Sequence, residues 1–306
     1  MSVKDVRIRN LNKKEDLENY TEFINLAHAD YPGHKDMSVE LVGQYIFGAP
    51  DFDEKAHFLA IEGSRIVGTA NGDLESEEAG FISMFILPEY RFKGLEEIFY
   101  ETVAEYLTSK DMKFLRTMVH AQFVGMMEFY REREFNDKWT HYSMTRDMDN
   151  PIPEIKISDD ITIHVPDLEN EYDAVRTTIA TGFSDTMDST DEMMMNFDEF
   201  TKEEYFSKDG IVAAKDANGR MFGVCIAAIH PAMKDTGHIP WLAVLKEHRG
   251  KGHGKALLLS SLAWLKENGV KQTSLSVELG NPGALKLYRS VGFEIESEMK
   301  FLEKKL

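Results

Sequence analysis

Apolar residues recur along this chain at two spacings, and the two alternate. Runs of five to ten residues rich in Val, Ile and Phe read as strands, and longer stretches with apolar positions three and four apart read as helices. The first half predicts strand 6–11, helices 14–29 and 38–47, and strands 56–62, 65–73 and 80–87. Helix 95–110, strand 113–121, helix 124–133 and strand 138–146 follow. The second half predicts strand 161–165, helices 168–182 and 191–206, and strands 210–215, 221–230 and 237–245. It closes with helix 254–267, strand 272–279, helix 282–290 and strand 293–303. The same order of elements thus occurs twice. Between the copies, Asp147-Met148-Asp149-Asn150-Pro151-Ile152-Pro153 carries two prolines after polar residues, a stiff extended connector. The expected domains are therefore residues 1–150 and 151–306.

Residue identities repeat along with the elements. Arg91 and Arg249, Gly94 and Gly252, Tyr130 and Tyr288, and Phe135 and Phe293 are each 158 positions apart. A constant offset across two separate motifs is the mark of an internal duplication. The copies begin in step within an indel, Val6-Arg7-Ile8-Arg9 facing Ile161-Thr162-Ile163-His164 at an offset of 155.

Chemistry enters at the turn Arg249-Gly250-Lys251-Gly252-His253-Gly254-Lys255, between a predicted strand and a predicted helix. Amide groups at a helix start have no intrahelical partner, and the helix dipole favours an anion there. Glycines let the backbone come close to that anion. Some thirty residues on stand Asn281, Pro282-Gly283-Ala284, Leu287-Tyr288 and Gly292-Phe293, a turn, a short helix and the entry to a strand. Together the two segments resemble the GNAT superfamily of acyl-CoA-dependent N-acyltransferases. Arg249, Gly252 and Gly254 fall on its Arg/Gln-x-x-Gly-x-Gly/Ala loop. Asn281, Ala284, Leu287-Tyr288 and Gly292-Phe293 fall on its second motif. The resemblance implies a mixed α/β (α+β) fold: two tandem GNAT-like domains, each a splayed, mostly antiparallel sheet flanked by helices. In layout the chain resembles tandem GNAT proteins with one degenerate half.

The copies differ where phosphate would sit. Glu96 replaces Gly254 and Phe92 replaces Gly250; Phe123 stands opposite Asn281 and Glu134 opposite Gly292. A carboxylate at the helix start takes the place of a pyrophosphate or repels it. Residues 1–150 are therefore expected to be structural and residues 151–306 catalytic.

The resemblance also distributes roles. Backbone amides of Gly250, Lys251, Gly252, His253, Gly254 and Lys255 would hold the pyrophosphate of acetyl-CoA, with charge from Lys251, Lys255 and Arg249. Backbone groups of Leu242, Ala243 and Val244 would meet pantetheine, and Asn281 would hold the turn or contact CoA. Tyr288 occupies the family's position for protonating the departing thiolate, although an aromatic on a helix face also packs in cores. His238 and Glu278 are the candidate bases. A histidine titrates near neutrality, which suits proton acceptance; each residue also has an ordinary structural reading. His248, His253 and His230 read as bystanders in their side chains. The acceptor would enter near 182–188 and 193–197, segments that ordinary helix packing explains equally well. The histidines and carboxylates lack metal-ligand spacing, so no metal is expected.

Composition narrows the partners. The chain has 306 residues, about two domains' worth. Its net charge is −18, divided −11 and −7 between residues 1–150 and 151–306. That balance disfavours nucleic acid and would attract a cationic acceptor such as a small-molecule amine. No run reaches the ~18 apolar residues of a membrane span, and the charged start Met1-Ser2-Val3-Lys4-Asp5 lacks a signal peptide's apolar region. The single cysteine, Cys225, lies in an apolar run, reads as a small core hydrophobe and fits a reducing, cytoplasmic setting. The expected function is transfer of an acetyl group from acetyl-CoA to a primary amine. A noncatalytic acyl-CoA-binding module is the alternative, and an aminoacyl transferase using charged tRNA is disfavoured by the acidic surface.

Overall fold

A computed structural model describes residues 5–49, 52–155, 157, 161–184, 190–203, 205–229 and 234–306. It divides into two compact units: Met1–His141 with Ser297–Leu306, and Tyr142–Glu296.

In the first unit β1 (Val6–Asn10) leads into α1 (Lys13–His28) and the short α2 (Val39–Leu41). Asn12 caps α1, its side chain accepting from the Lys14 and Glu15 amides. Where one helix over 38–47 is expected, α2 instead runs on as a π-helix, Val42–Ile46. Next come β2 (His57–Glu62), β3 (Arg65–Leu74), β4 (Ala79–Ile86), α3 (Leu95–Thr108), β5 (Phe114–His120), α4 (Val124–Arg131) and β6 (Asn136–Asp147). The strand order is β1-β2-β3-β4-β5-β12, the last strand being β12 (Glu294–Lys305). Among the described pairings of this unit β4 and β5 alone are parallel, and their pairing stops at Ile82 opposite Thr117. Leu59, Ile82, Phe99, Val103 and Leu107 bury between this sheet and its helices.

The second unit has β7 (Ile161–His164), α5 (Leu168–Phe183), α6 (Thr190–Phe200), β8 (Ile211–Asp216), β9 (Met221–Ile229) and β10 (Thr236–Val244). After β10 come α7 (His253–Glu267), β11 (Gln272–Glu278) and α8 (Pro282–Ser290). The strand order is β6-β11-β10-β9-β8-β7. Among its described pairings β10 and β11 are again the parallel pair, which ends early, at His238 opposite Ser274. Each unit is thus a mostly antiparallel sheet that splays at its parallel pair, as expected.

The edges of the units differ from the 150/151 cut read from the sequence, for two reasons. First, Met299–Lys305 of β12 pair antiparallel with β5, and Leu302 is buried in the first unit's core. Second, the proline connector belongs to the second unit. Arg146 is 2% exposed and donates to the carbonyls of Asp147, Asn150, Pro151 and Val291. A buried guanidinium must have its donors satisfied, and here the connector's carbonyls do that.

The duplication is visible in the backbone. Among the described residues three non-glycines have left-handed φ: Phe92 at 57°, Asp111 at 61° and Glu134 at 66°. Each lies 158 positions before a left-handed glycine, respectively Gly250 at 75°, Gly269 at 81° and Gly292 at 91°. The first unit makes the same turns with residues less suited to them, at a cost of about 1–2 kcal/mol per position.

Candidate active site

The second unit's site is built where β10 and β11 part. β9 pairs along β10 with a one-residue shift between His238 and Trp241, a bulge that contains Ile239 and Pro240. Proline has no N–H to give to a ladder, so an irregularity here fits the sequence. Beyond His238, Leu242, Ala243 and Val244 on β10 have no described ladder partner in β11. Ala243 is buried against Gly182 of α5, where an added Cβ would lie 2.8 Å from the Ala243 Cβ.

The loop after β10 leads into the start of α7. Gly250 and Gly252 are left-handed, and Gly252 caps α7 without any side-chain bond to the first-turn amides. Lys251 is exposed and Lys255 half-buried. Gly254 has ordinary clearance: an added Cβ would lie 3.6 Å from Leu287 Cδ2 and Val244 Cγ2. The His253 side chain is buried with its ring against Phe222, and His248 stacks on the same ring. Arg249 is placed differently from a phosphate ligand. Its Nε donates to Val244 O at 2.8 Å and its Nη2 to Gly182 O at 2.6 Å, so it ties the loop to the end of α5.

The first unit contains the same brace with a blocked loop. Arg91 donates to Ile86 O and Ala27 O and pairs with Asp30. Glu96, 2% exposed, accepts the Phe92 N–H at 2.5 Å, at the position of Gly254's amide environment in the other unit. Gly94 caps α3 as Gly252 caps α7. A carboxylate there competes directly with any phosphate.

Among the candidate bases, His238 is exposed, and Ser274 Oγ lies 3.1 Å from its Nδ1. Desolvation by the residues around it lowers its pKa, partly offset by the hydrogen bond at Ser274. Glu278 is exposed at the other end of β11, four residues or about 13 Å from Ser274 along the strand. The structure therefore does not bring the two candidate bases together. Tyr288 is 8% exposed and packs near Phe293. Burial pushes its phenol above the ordinary tyrosine range, with Cys225 a smaller contributor, so it stays protonated. Cys225 is itself buried and pushed up to about 12. Asn281 caps α8, its Oδ1 accepting from the Ala284 amide at 3.0 Å. Phe123, its counterpart, has a similar backbone at the start of α4 but caps nothing.

The acceptor segments divide. Residues 185–188 and His230 lie outside the described residues. Met193 and Phe197 are buried in the core between α5, α6 and the sheet, while Met195 is 64% exposed. Arg176 and Tyr172 of α5 both hold Asp198 of α6. One residue was missed in the sequence: Trp241, half-buried at the bulge with its ring 4.9 Å from Phe200. Pro240 inside a strand was the available signal.

A sheet that splays at its parallel pair and a glycine turn at the start of α7 give the second unit the GNAT fold. Residues 177–293 match the Acetyltransferase (GNAT) family, and the chain as a whole has the fold of a tandem GNAT protein. The relatives agree with that placement. A mycothiol acetyltransferase of Saccharomonospora viridis is 33% identical over 112 residues, 34% of this chain and 37% of that protein. A mycothiol acetyltransferase of Acidothermus cellulolyticus is 25% identical over 75% of this chain and 73% of its own length. Among solved structures, a GCN5-related N-acetyltransferase from Sphaerobacter thermophilus covers 100% of this chain and 97% of its own, with a TM-score of 0.85 and 17% identity. A tandem GNAT protein from the clavulanic acid biosynthesis pathway covers 98% of both chains, with a TM-score of 0.76 and 15% identity. At those identities the structures show the fold alone.

Proposed function

We propose that the second unit transfers an acetyl group from acetyl-CoA to a primary amine of a small molecule, by direct attack on the thioester. The observation that carries this reading is the open edge of β10 beyond His238, which leads to the uncapped start of α7. Backbone amides of residues 250–255 hold the pyrophosphate. The backbone groups of Leu242, Ala243 and Val244 that neither β9 nor Arg249 engages hold pantetheine and place the carbonyl beside an N–H that stabilises its developing oxyanion.

The amine must lose a proton to attack. His238 accepts it, directly or through water. In the tautomer that donates Nδ1–H to Ser274 Oγ, Nε2 carries the free lone pair. Its lowered pKa favours the neutral imidazole, the form that accepts a proton. The Tyr288 hydroxyl donates to the departing sulfur. Its raised pKa makes it a hydrogen-bond donor that stabilises thiolate more than an acid that fully protonates it. Arg249 and Asn281 position the loop and α8. The first unit, with Glu96 in its loop, takes no CoA.

The pH–rate profile with a primary amine tests the base. His238→Ala should lower turnover most near neutrality and leave acetyl-CoA affinity unchanged. The defect should shrink at alkaline pH, where more amine is already neutral. A defect constant across pH would assign His238 to packing and turn the test to Glu278.

A further inference from the structure

The first unit contains a cavity of about 300 Å³ that the proposed reaction does not use. It lies between the end of β4, the loop after it and the start of α4, where β4 and β5 have ceased to pair. Met84, Ile86, Phe92, Phe123 and Val124 give it apolar walls. Its phosphate end is closed. The Phe92 ring sits against Gly125, where an added Cβ would come within 2.4 Å of it. Arg91 also lines the cavity, but its guanidinium is engaged by Asp30, Ile86 O and Ala27 O. Among the described lining residues there is no other cation for an anionic ligand.

Glu96 is in the opposite condition. It lines the cavity, is 2% exposed, and accepts one hydrogen bond, from the Phe92 N–H. Among the described residues no cationic side chain pairs with it. A buried carboxylate is costly unless it is paired. A cationic group in the cavity would supply the missing partner.

We propose that this cavity binds a small primary amine with a short apolar body. The ammonium pairs with Glu96, and the body lies among Met84, Ile86 and Phe123. About 300 Å³ is the lower end of the range for ligand pockets. It has room for on the order of ten water-sized atoms, which suits an arylalkyl or alkyl amine and excludes a nucleotide. The net charge of −18 raises the local concentration of such cations. The site rests on the first unit's geometry alone, and it stands whether or not the second unit acylates amines.

Calorimetry on the full chain tests it with phenethylamine as the probe, and 2-phenylethanol and 3-phenylpropionate as neutral and anionic matches. Saturating CoA is present throughout. The amine should bind at least tenfold more tightly than either match. Glu96→Gln should weaken the amine at least tenfold and erase its advantage over the alcohol. Val124→Trp, at a position 59% exposed on the cavity wall, should weaken amine and alcohol together. It also decides the matter if Glu96→Gln fails to fold. Amine binding unchanged in the variants that fold would overturn the proposal. So would equal affinity for the alcohol or the carboxylate.

Discussion

Gly254→Glu transplants the first unit's blocking residue into the second. The structure makes the substitution benign for folding. An added Cβ meets Leu287 and Val244 at 3.6 Å, ordinary contact distances, and Gly254 lies in the first turn of α7. Replacing a helical glycine gains about 0.8–1 kcal/mol. A carboxylate in the first turn is itself favourable there. The carboxylate should fold back onto the Gly250 N–H as Glu96 does onto Phe92. Acetyl-CoA then loses at least one charge-assisted bond, about 1.5–3 kcal/mol. It also meets a like charge at roughly 4 Å, about 1–4 kcal/mol between bulk water and a protein surface. The sum, about 2.5 kcal/mol or more, corresponds to at least a ~70-fold weaker Kd. Calorimetry with acetyl-CoA reads the affinity and thermal melting reads the fold. Lost binding with an unchanged or raised Tm is expected. Affinity retained within threefold would show that the phosphates do not sit at this loop.

Tyr288→Phe keeps the ring packed and removes the donor to sulfur; turnover should fall about 10²-fold or more with CoA affinity and Tm unchanged, and full activity would return Tyr288 to a packing role. Glu134→Gly should relieve a left-handed non-glycine position, φ 66°, that costs about 1–2 kcal/mol, less about 0.5–1 kcal/mol for glycine's unfolded-state entropy. Chemical denaturation should show a gain of up to about 1.5 kcal/mol, and a loss would mean that the side chain contributes contacts that outweigh the strain. His28, half-buried, has its pKa pushed down to about 4 by burial, with His34, His120 and Arg91 lowering it further and Asp30 opposing. The unfolded chain therefore binds a proton at this histidine that the folded chain does not, so its contribution is full above pH 6.5 and is lost as pH falls towards 4. Melting of His28→Phe between pH 7 and 4 should show a weaker acid dependence than wild type, and an identical dependence would contradict this.

Much of this architecture is legible in the sequence because the duplication supplies its own control. The 158-residue offset identifies the two loops, and the substitutions Gly250 to Phe92 and Gly254 to Glu96 anticipate the bond that closes the first one. What escaped depends on long-range geometry. Arg249 looks like a phosphate ligand by type, and only the fold brings Gly182 O within its reach. Arg146 has no local signal, because its partners are carbonyls. The place of β12 beside β5 cannot be read from periodicity, which gives a strand but not its neighbour. The π-helix at Val42–Ile46 has the same apolar pattern as an α-helix over a few residues.

The most direct test of amide formation is release of free thiol from acetyl-CoA by the full chain, with a small primary amine or its matched alcohol as acceptor. The account predicts thiol release that depends on the amine, with one acetylated amine formed per thiol, and no more than background with the alcohol. Equal release with both acceptors, or thiol released without the amide, would contradict it.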